Sequence, residues 1–277
     1  MARARTHVFA LASLLCALGA SAPQFAVAAD VDPFDGQWHF NLTPYGWFPA
    51  FTTDIDFQTR GGSITPSVEV KPSNYLSDLQ FAAMANGVAR KGELMLFGDL
   101  VYADIASLTS KVKSLSGPGG IIQIPINADL NVQMTATIVT AGAGINVMRS
   151  AAGHLDVFGG VQYGRIKSSV DANTYALEGR IQRSDAVSNT TEVWDGIVGI
   201  TGVLNLSDDR RWHMPFELHA GAGSTTWTWN GIIAIGYKFD WGSLVVGYRN
   251  LTYNAHGDAT VQKLQMSGPA IGATFQW

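Results

Sequence analysis

The chain has 277 residues, of which 47% are hydrophobic and 14% are charged, and its formal net charge is -4 at pH 7. This mildly acidic balance argues against nucleic acid as a partner, because binding to a phosphate backbone requires clustered lysine and arginine. The single cysteine is Cys16. The rest of the chain therefore has neither a disulfide nor a thiolate metal site.

The N-terminus has the three parts of a secretory signal peptide. Arg3 and Arg5 precede an apolar run, and Ala26-Val27-Ala28 supplies the small residues of a cleavage site. We therefore predict a signal peptide over residues 1–29 and one mature domain over residues 30–277. Removal of the signal leaves 16 basic residues against 22 acidic ones.

From Trp38 onwards, apolar and polar residues alternate with a period of two, which is typical of strands with one apolar face. The polar rows carry few charges and many Gly, Thr, Asn and Gln residues, which suits the lumen of a membrane barrel better than a soluble surface. No stretch of the mature chain approaches the roughly 18 apolar residues of a membrane helix. We predict ten strands, at 37–48, 79–90, 93–105, 128–147, 154–168, 192–204, 212–223, 226–238, 243–254 and 260–276.

Residues 50–70 also alternate, around Thr59-Arg60-Gly61-Gly62. Each arm of this hairpin has seven or eight residues, whereas a spanning strand needs roughly 9–11. The fold class is thus all-β, a transmembrane antiparallel up-and-down β-barrel. We expect twelve strands, with the hairpin in the wall. The alternative is ten strands, with the hairpin outside the membrane.

The connections fall into two length classes. Short polar turns are predicted at 90–92, 149–153, 207–211 and 240–242, and long loops at 106–127 and 171–190. In outer-membrane barrels the short turns are periplasmic and the longer loops extracellular. We therefore expect a Gram-negative outer-membrane protein with both termini in the periplasm. Residues 72–79 have the composition of one short helical turn beside a barrel mouth.

The last strand ends on an aromatic residue. Ile271, Ala273, Phe275 and Trp277 form one outward row in this interpretation. We expect Phe275 and Trp277 to be the signal that the outer-membrane barrel assembly machinery reads. The other expected partners are outer-membrane lipid and lipopolysaccharide, with the barrel itself a monomer.

Five short motifs are spread over the mature chain. They are Thr43-Pro44-Tyr45-Gly46-Trp47-Phe48-Pro49, Arg90-Lys91-Gly92, Phe97-Gly98-Asp99-Leu100-Val101-Tyr102, Val246-Gly247-Tyr248-Arg249 and Ser267-Gly268-Pro269-Ala270-Ile271-Gly272. With them the chain resembles a family of uncharacterised proteobacterial outer-membrane barrels of the porin-like kind, along nearly its whole mature length. The resemblance implies the barrel fold and no particular substrate, because a fold alone does not give a function.

Strand parity places a set of ionisable residues on inward rows: Arg90, Asp99, Asp195, Glu217, His219, Lys238 and Arg249. Ionisable groups inside a membrane protein are costly unless they are paired or wet. One interpretation is a network of salt bridges and hydrogen bonds that fills the interior. The other is a water-filled passage whose selectivity these charges set.

These two interpretations lead to the expected function, a narrow porin-like channel for small solutes or ions, or a largely structural barrel. The alternative is a lipid or peptide hydrolase, in which His154 with Asp156 or His219 with Glu217 would orient an imidazole for base catalysis. His39 and the His256 and Asp258 pair supply the same residue types. We found no nucleophile motif beside any of them and expect no enzyme activity.

We also expect no metal and no cofactor. His213, Glu217 and His219 share one strand face. However, positions four residues apart on a strand are over 13 Å apart, at about 3.3 Å per residue.

Overall fold

The computed structural model describes residues 32–55, 57–59, 62–64, 67–76, 79–112, 115–116, 123–124, 128–176, 181–254 and 261–277. The predicted signal peptide and the His256 and Asp258 pair lie outside these residues. The strands in the described part are β1 (Trp38–Trp47), β2 (Ala50–Ile55), β3 (Phe57–Thr59), β4 (Gly62–Ile64), β5 (Ser67–Val70), β6 (Leu79–Lys91), β7 (Leu94–Val112), β8 (Leu115–Ser116), β9 (Gln123–Ile124), β10 (Ala128–Ser150), β11 (Gly153–Ala176), β12 (Ile181–Asn205), β13 (Trp212–Gly223), β14 (Trp227–Phe239), β15 (Gly242–Asn254) and β16 (Val261–Gln276). A 3-10 helix covers Pro72–Asn74, within the stretch where a helical turn was predicted.

The described strands form a closed antiparallel barrel. Ten of them follow one another around the ring in the order β1, β6, β7, β10, β11, β12, β13, β14, β15 and β16, and β16 pairs back with β1. The seam closes at the last residue, where the backbone groups of Trp277 and Phe40 exchange hydrogen bonds of 2.8 and 3.1 Å. The predicted all-β barrel is confirmed.

The expectation of twelve strands is wrong, and the alternative of ten is confirmed. β2 continues β1 along the same edge of β16 without a change of register, since Trp47 lies opposite Ala270 and Ala50 opposite Ser267. β2 therefore occupies no new position in the ring. β5 pairs with β2, and β3 with β4. The hairpin thus lengthens the wall at the end opposite the short turns and adds no strand to the ring.

The short turns lie where they were predicted, at residues 92–93, 151–152, 206–211 and 240–241. At the other end, three strands are longer than expected. β7 continues to Val112, β11 continues to Ala176, and β12 begins at Ile181, so most of 171–190, predicted as a loop, is strand. No helix in the described part of the chain is long and apolar enough to cross a membrane.

The outer surface of the barrel is apolar and has aromatic residues near both ends. On β14 the outward row runs from Trp227 to Tyr237. Ten residues at about 3.3 Å each, tilted by roughly 40°, correspond to about 25 Å, the height of the apolar band of such barrels. At the short-turn end, aromatic rings form two series in which neighbouring centroids lie 4.9–6.1 Å apart. One is Trp212, Tyr237, Phe239, Trp241 and Phe275, and the other is Trp277, Phe40 and Trp38.

The hydrophobic core lies inside the barrel. Buried apolar side chains in the described part form one cluster of Trp47, Val101, Ile138, Leu251, Tyr253 and Met266, and another of Met95, Phe158 and Ile197. Inward glycines make room for these side chains. A Cβ added at Gly199 would lie 2.5 Å from His219 Cβ and 2.7 Å from Phe158 Cζ. The interior is therefore packed at these levels.

Candidate functional site

Inside the barrel, side chains from seven strands meet in one connected set, which we call the polar belt. It consists of Tyr45 on β1, Asp99 on β7, Thr140 on β10, Gln162 on β11, Glu217 and His219 on β13, Thr228 and Asn230 on β14, and Arg249 on β15. Successive side chains of a strand point to opposite faces, so each strand contributes inward positions at fixed intervals. The closed ring brings those positions together.

Arg249 organises one half of the polar belt. Its Nε donates to Asn230 Oδ1 at 3.0 Å, and its Nη1 donates to Tyr45 Oη at 2.6 Å. Nη1 also lies 2.9 Å from Asp99 Oδ1, and the Tyr45 hydroxyl donates to Asp99 Oδ2 at 2.8 Å. The guanidinium stacks over the Trp47 ring, 4.9 Å from its centroid. A buried charge requires this number of partners, because desolvation is otherwise prohibitive.

Glu217 and His219 organise the other half. Glu217 Oε1 accepts from Asn230 Nδ2 at 3.1 Å and lies 3.0 Å from His219 Nδ1. On the far side of the imidazole, Gln162 Nε2 lies 3.5 Å from His219 Nε2 and donates to Thr140 Oγ1 at 3.2 Å. Asn230 thus joins the two halves, since it contacts both Arg249 and Glu217.

Most of the polar belt is sealed from solvent; the exceptions are Tyr45, which is half-buried, and Glu217, whose side chain keeps 17% of its surface exposed. Gln162, Thr228 and Asn230 have 0% of their surface exposed, and His219 and Arg249 have 2%. Side chains that line a water-filled passage keep part of their surface accessible to water. The centre of the belt, around His219, Asn230 and Arg249, instead has the burial of a protein core.

Three of the predicted inward residues lie away from the polar belt. Arg90 forms a bidentate ion pair with Asp156 near the short-turn end. Its Nη1 donates to Oδ1 at 3.1 Å and its Nη2 donates to Oδ2. Asp195 accepts hydrogen bonds from the backbone N–H of Thr225 at 3.0 Å and from its hydroxyl at 2.8 Å. These bonds fix the turn between β13 and β14, at the end opposite the short turns. Lys238 is half-buried near the short-turn end of β14.

The other four predicted inward residues, Asp99, Glu217, His219 and Arg249, do meet in the polar belt. Sequence reasoning missed their neutral partners, chiefly Tyr45, Gln162 and Asn230. All three occupy inward positions, so strand parity was the signal that would have found them. Asn230 and Gln162 carry no formal charge, and for that reason they were not singled out.

The histidines do not assemble into a metal site in the described part of the chain, where no group of three or more His, Cys, Asp or Glu side chains has suitable geometry. His213 Nδ1 lies 3.3 Å from the carbonyl oxygen of Arg211, away from Glu217. His154 Nε2 lies 3.7 Å from Asp156 Oδ2. His39 Nε2 lies 2.7 Å from Asp35 Oδ1.

The barrel mouth opposite the short turns is partly covered by the segment after β5. Tyr75, which follows the 3-10 helix, is buried, and its hydroxyl donates to the carbonyl oxygen of Pro49 at 2.8 Å. Its ring packs against Phe51 at a centroid distance of 5.5 Å. Burial raises the pKa of Tyr75 to about 12, so it remains a neutral donor at physiological pH.

The two predicted assembly residues lie at the aromatic girdle of the short-turn end. Trp277 is largely exposed on the outer face and lies 6.1 Å from the Phe40 ring. Phe275 lies 5.6 Å from Trp241. Both positions match the outward row predicted for the last strand.

Known structures share this architecture. The outer membrane protease OmpT from Escherichia coli matches with a TM-score of 0.50 at 10% identity, over 90% of this chain and 99% of that chain. The fold is that of a bacterial outer-membrane β-barrel. The translocator domain of autotransporter NalP from Neisseria meningitidis (TM-score 0.39, 15% identity, 91% and 92% coverage) and Ail from Yersinia pestis (0.33, 7%, 87% and 99%) also match. No protein-family model and no curated protein matches the sequence.

Proposed function

We propose that the mature chain is a Gram-negative outer-membrane barrel with a closed lumen, whose role is structural: it holds an extended sheet outside the membrane. Both termini lie in the periplasm in this arrangement. The observation that carries the proposal is the burial of the polar belt, in which Asn230, Gln162 and Thr228 are fully inaccessible. Of the two functions that the sequence suggested, this is the structural one.

The packing beside the polar belt supports a closed lumen. The clusters around Trp47 and Phe158 are apolar and buried, and water-filled passages are lined by polar groups. The inward Gly142 has no room for a side chain either, since a Cβ there would lie 2.4 Å from the carbonyl oxygen of Gly159 and 2.7 Å from Phe97 Cε1. The charges of the belt are paired with one another, which is what a filled interior requires.

The long strands support a surface role. Tyr163 on β11 and Trp194 on β12 form an outward aromatic pair with ring centroids 4.6 Å apart, as expected at a membrane interface. β11 continues thirteen residues beyond Tyr163, to Ala176, and remains paired with β12 throughout. At about 3.3 Å per residue the two strands extend about 40 Å further along their own direction. This sheet is the part of the barrel that faces the medium.

Conductance separates the closed barrel from a narrow porin-like channel. We expect the purified protein in a planar bilayer to show no discrete current steps, and Asp99→Asn and Arg249→Gln to lower thermal stability without producing any. Arg165→Gln is the matched control, because Arg165 is half exposed and pairs with Glu192 at 3.4 Å, outside the belt. Steps whose ion preference changes in Asp99→Asn would establish the channel instead.

We further propose that the barrel is not a hydrolase. His219 and Glu217 have the geometry of a base and its orienting carboxylate, but His219 is buried, and a base must come within hydrogen-bond reach of its substrate. Incubation with phospholipid, lipopolysaccharide and a peptide library is expected to give no turnover. Release of fatty acid or peptide that is lost in His219→Ala or His154→Ala would overturn this.

The same proposal includes the partners of the barrel. The aromatic girdle contacts membrane lipid and lipopolysaccharide, and Phe275 and Trp277 are the residues that the barrel assembly machinery reads. The chain works as a monomer. From the resemblance to a porin-like family we infer the type of barrel alone. We do not infer a transport role from it.

A further inference from the structure

The chain crosses a mouth of the barrel before it enters the wall. The segment Asp32–Gln37, which we call the strap, precedes β1 at the short-turn end. Its side chains contact residues of β10 and β11, which are the fourth and fifth strands of the ring when β1 is counted as the first. The strap therefore reaches from one wall towards the opposite one.

Phe34 is the residue of the strap that docks. Its ring centroid lies 4.7 Å from the guanidinium carbon of Arg90 and 4.9 Å from that of Arg149. The His154 ring meets it edge to face, with centroids 5.4 Å apart. Phe34 is half-buried while Asp32, Pro33 and Asp35 are exposed. Two cations on one aromatic ring form an electrostatically favourable site for that ring.

Carboxylates hold the strap on each side of Phe34. Asp32 Oδ2 lies 3.6 Å from Arg149 Nη2, and Asp32 Oδ1 accepts the backbone N–H of Phe34 at 3.0 Å. Asp35 Oδ1 accepts the backbone N–H of Gln37 at 2.8 Å and lies 2.7 Å from His39 Nε2. The acids thus fix the backbone in the shape that presents the ring.

The docked ring covers an ion pair. Arg90 is 6% exposed and Asp156 is 1% exposed, although both lie close to the mouth. Asn146 Nδ2 also donates to Asp156 Oδ1 at 3.0 Å. Removal of Phe34 would open the face of the Arg90 guanidinium to water, where an ion pair is worth less.

We propose that Arg90, Arg149 and His154 form a docking site for an aromatic side chain, that its occupant is Phe34 of the same chain, and that the docked strap closes this mouth and joins opposite walls of the barrel. The site is independent of the belt. It holds the strap by contacts between side chains, with no strand pairing, so the strap can detach while the wall stays closed.

Spin labelling tests the docking directly, because the chain expressed without residues 1–29 contains no cysteine. A nitroxide on Pro33→Cys reports the mobility of the strap, and one on Asp208→Cys, in a turn at the same end, is the matched control. We expect an immobile spectrum at position 33, a mobile one after Phe34→Ala, a partial loss of immobilisation after Arg149→Gln, and retention after Phe34→Trp. The control spectrum should not change.

Three results would overturn the proposal. The first is a mobile nitroxide at position 33 with Phe34 intact. The second is a spectrum that Phe34→Ala leaves unchanged, and the third is a spectrum that Phe34→Trp disturbs as much as Phe34→Ala does. Heat-modifiable gel migration of each variant verifies that the wall has folded, so that a mobile strap is distinguished from an unfolded barrel.

Discussion

At the scale of single residues, Arg249 has the most demanding environment, because it carries a full charge where water does not reach. Its stability depends on Asp99, Tyr45 and Asn230 together. Removing one partner of a buried ion pair leaves an uncompensated charge, whereas removing both partners is often nearly neutral. The belt should therefore respond very differently to single and double substitutions.

We predict that Asp99→Asn lowers the free energy of unfolding by about 3–5 kcal/mol. The double variant Asp99→Leu with Arg249→Met should recover most of that loss. Urea unfolding in lipid vesicles measures both. Arg165→Gln, at the half-exposed pair with Glu192, should cost less than about 1 kcal/mol. An Asp99→Asn variant as stable as Arg165→Gln would show that the belt is hydrated.

Inward glycines provide a second residue-scale prediction. Gly199→Ala should destabilise the barrel by about 1–3 kcal/mol, because overpacking forces neighbouring side chains out of place. The added Cβ would lie 2.5 Å from His219 Cβ. Gly87→Ala is the control, since nothing lies within 4 Å of a Cβ built there, and it should change stability by under about 0.5 kcal/mol. Equal effects of the two substitutions, measured by the same unfolding assay, would mean that the lumen has spare volume.

Strand parity predicted that Asp99, Glu217, His219 and Arg249 face inwards, because that requires nothing beyond the period of two. It did not predict that they meet while Arg90 and Asp195 lie elsewhere. Which inward residues share a level depends on the register and tilt of every strand in the ring. That information is set by the closed barrel as a whole.

At the scale of elements, the hairpin β2–β5 shows why alternation alone miscounted the strands. β2 has the pattern of a wall strand, and it is one, but it prolongs β1 along β16 in the same register. A period of two identifies a strand but does not indicate which strand edge it pairs with. The arms of seven or eight residues, shorter than the roughly 9–11 of a spanning strand, were the signal for ten strands.

Replacement of residues 50–70 by a short Gly/Ser linker tests the ten-stranded ring. We predict a folded, heat-modifiable barrel, because the ring pairings of β1 with β6 and of β1 with β16 up to Ala270 remain. The loss of the contact between Phe51 and Tyr75 should cost about 1 kcal/mol. The control replaces β6, a ring strand, and should not fold. If both variants fail to fold, residues 50–70 belong to the ring.

The strap provides a pH prediction. The hydrogen bond with His39 holds the pKa of Asp35 below its ordinary value of 3.8. A carboxylate with a lowered pKa in the folded state stabilises that state above the ordinary value, and this contribution is lost as the pH falls through the lowered pKa. The groups facing the strap are Arg90, Arg149, His154, Asp156 and His39.

We therefore expect the nitroxide at position 33 to remain immobile from pH 8 to pH 5 and to become mobile only below about pH 3.8. Asp35→Asn should weaken immobilisation at neutral pH and reduce the change at low pH. Release of the strap between pH 8 and pH 5 would contradict the assignment to Asp35.

At the scale of the whole molecule, the sequence identified the barrel because an apolar outer face imposes alternation on every strand that crosses the membrane. The same reasoning failed where β11 and β12 rise beyond Tyr163 and Trp194. Residues 181–185, Ile-Gln-Arg-Ser-Asp, and the polar stretch at 188–192 have no apolar row. Without such a row, the pairing of these residues is invisible to a search for amphipathic periodicity.

If the polar belt closes the lumen, a cysteine placed in the belt should be unreactive while the barrel stays folded. Thr228 is fully buried, and Thr228→Cys is close to it in size in a chain that otherwise has no cysteine beyond residue 29. In the folded barrel, we predict that a small water-soluble thiol reagent modifies this cysteine at least about 100-fold more slowly than Asp208→Cys in the exposed turn, because about 3 kcal/mol of local opening would be needed to expose it. Modification of both cysteines at similar rates would contradict a closed lumen.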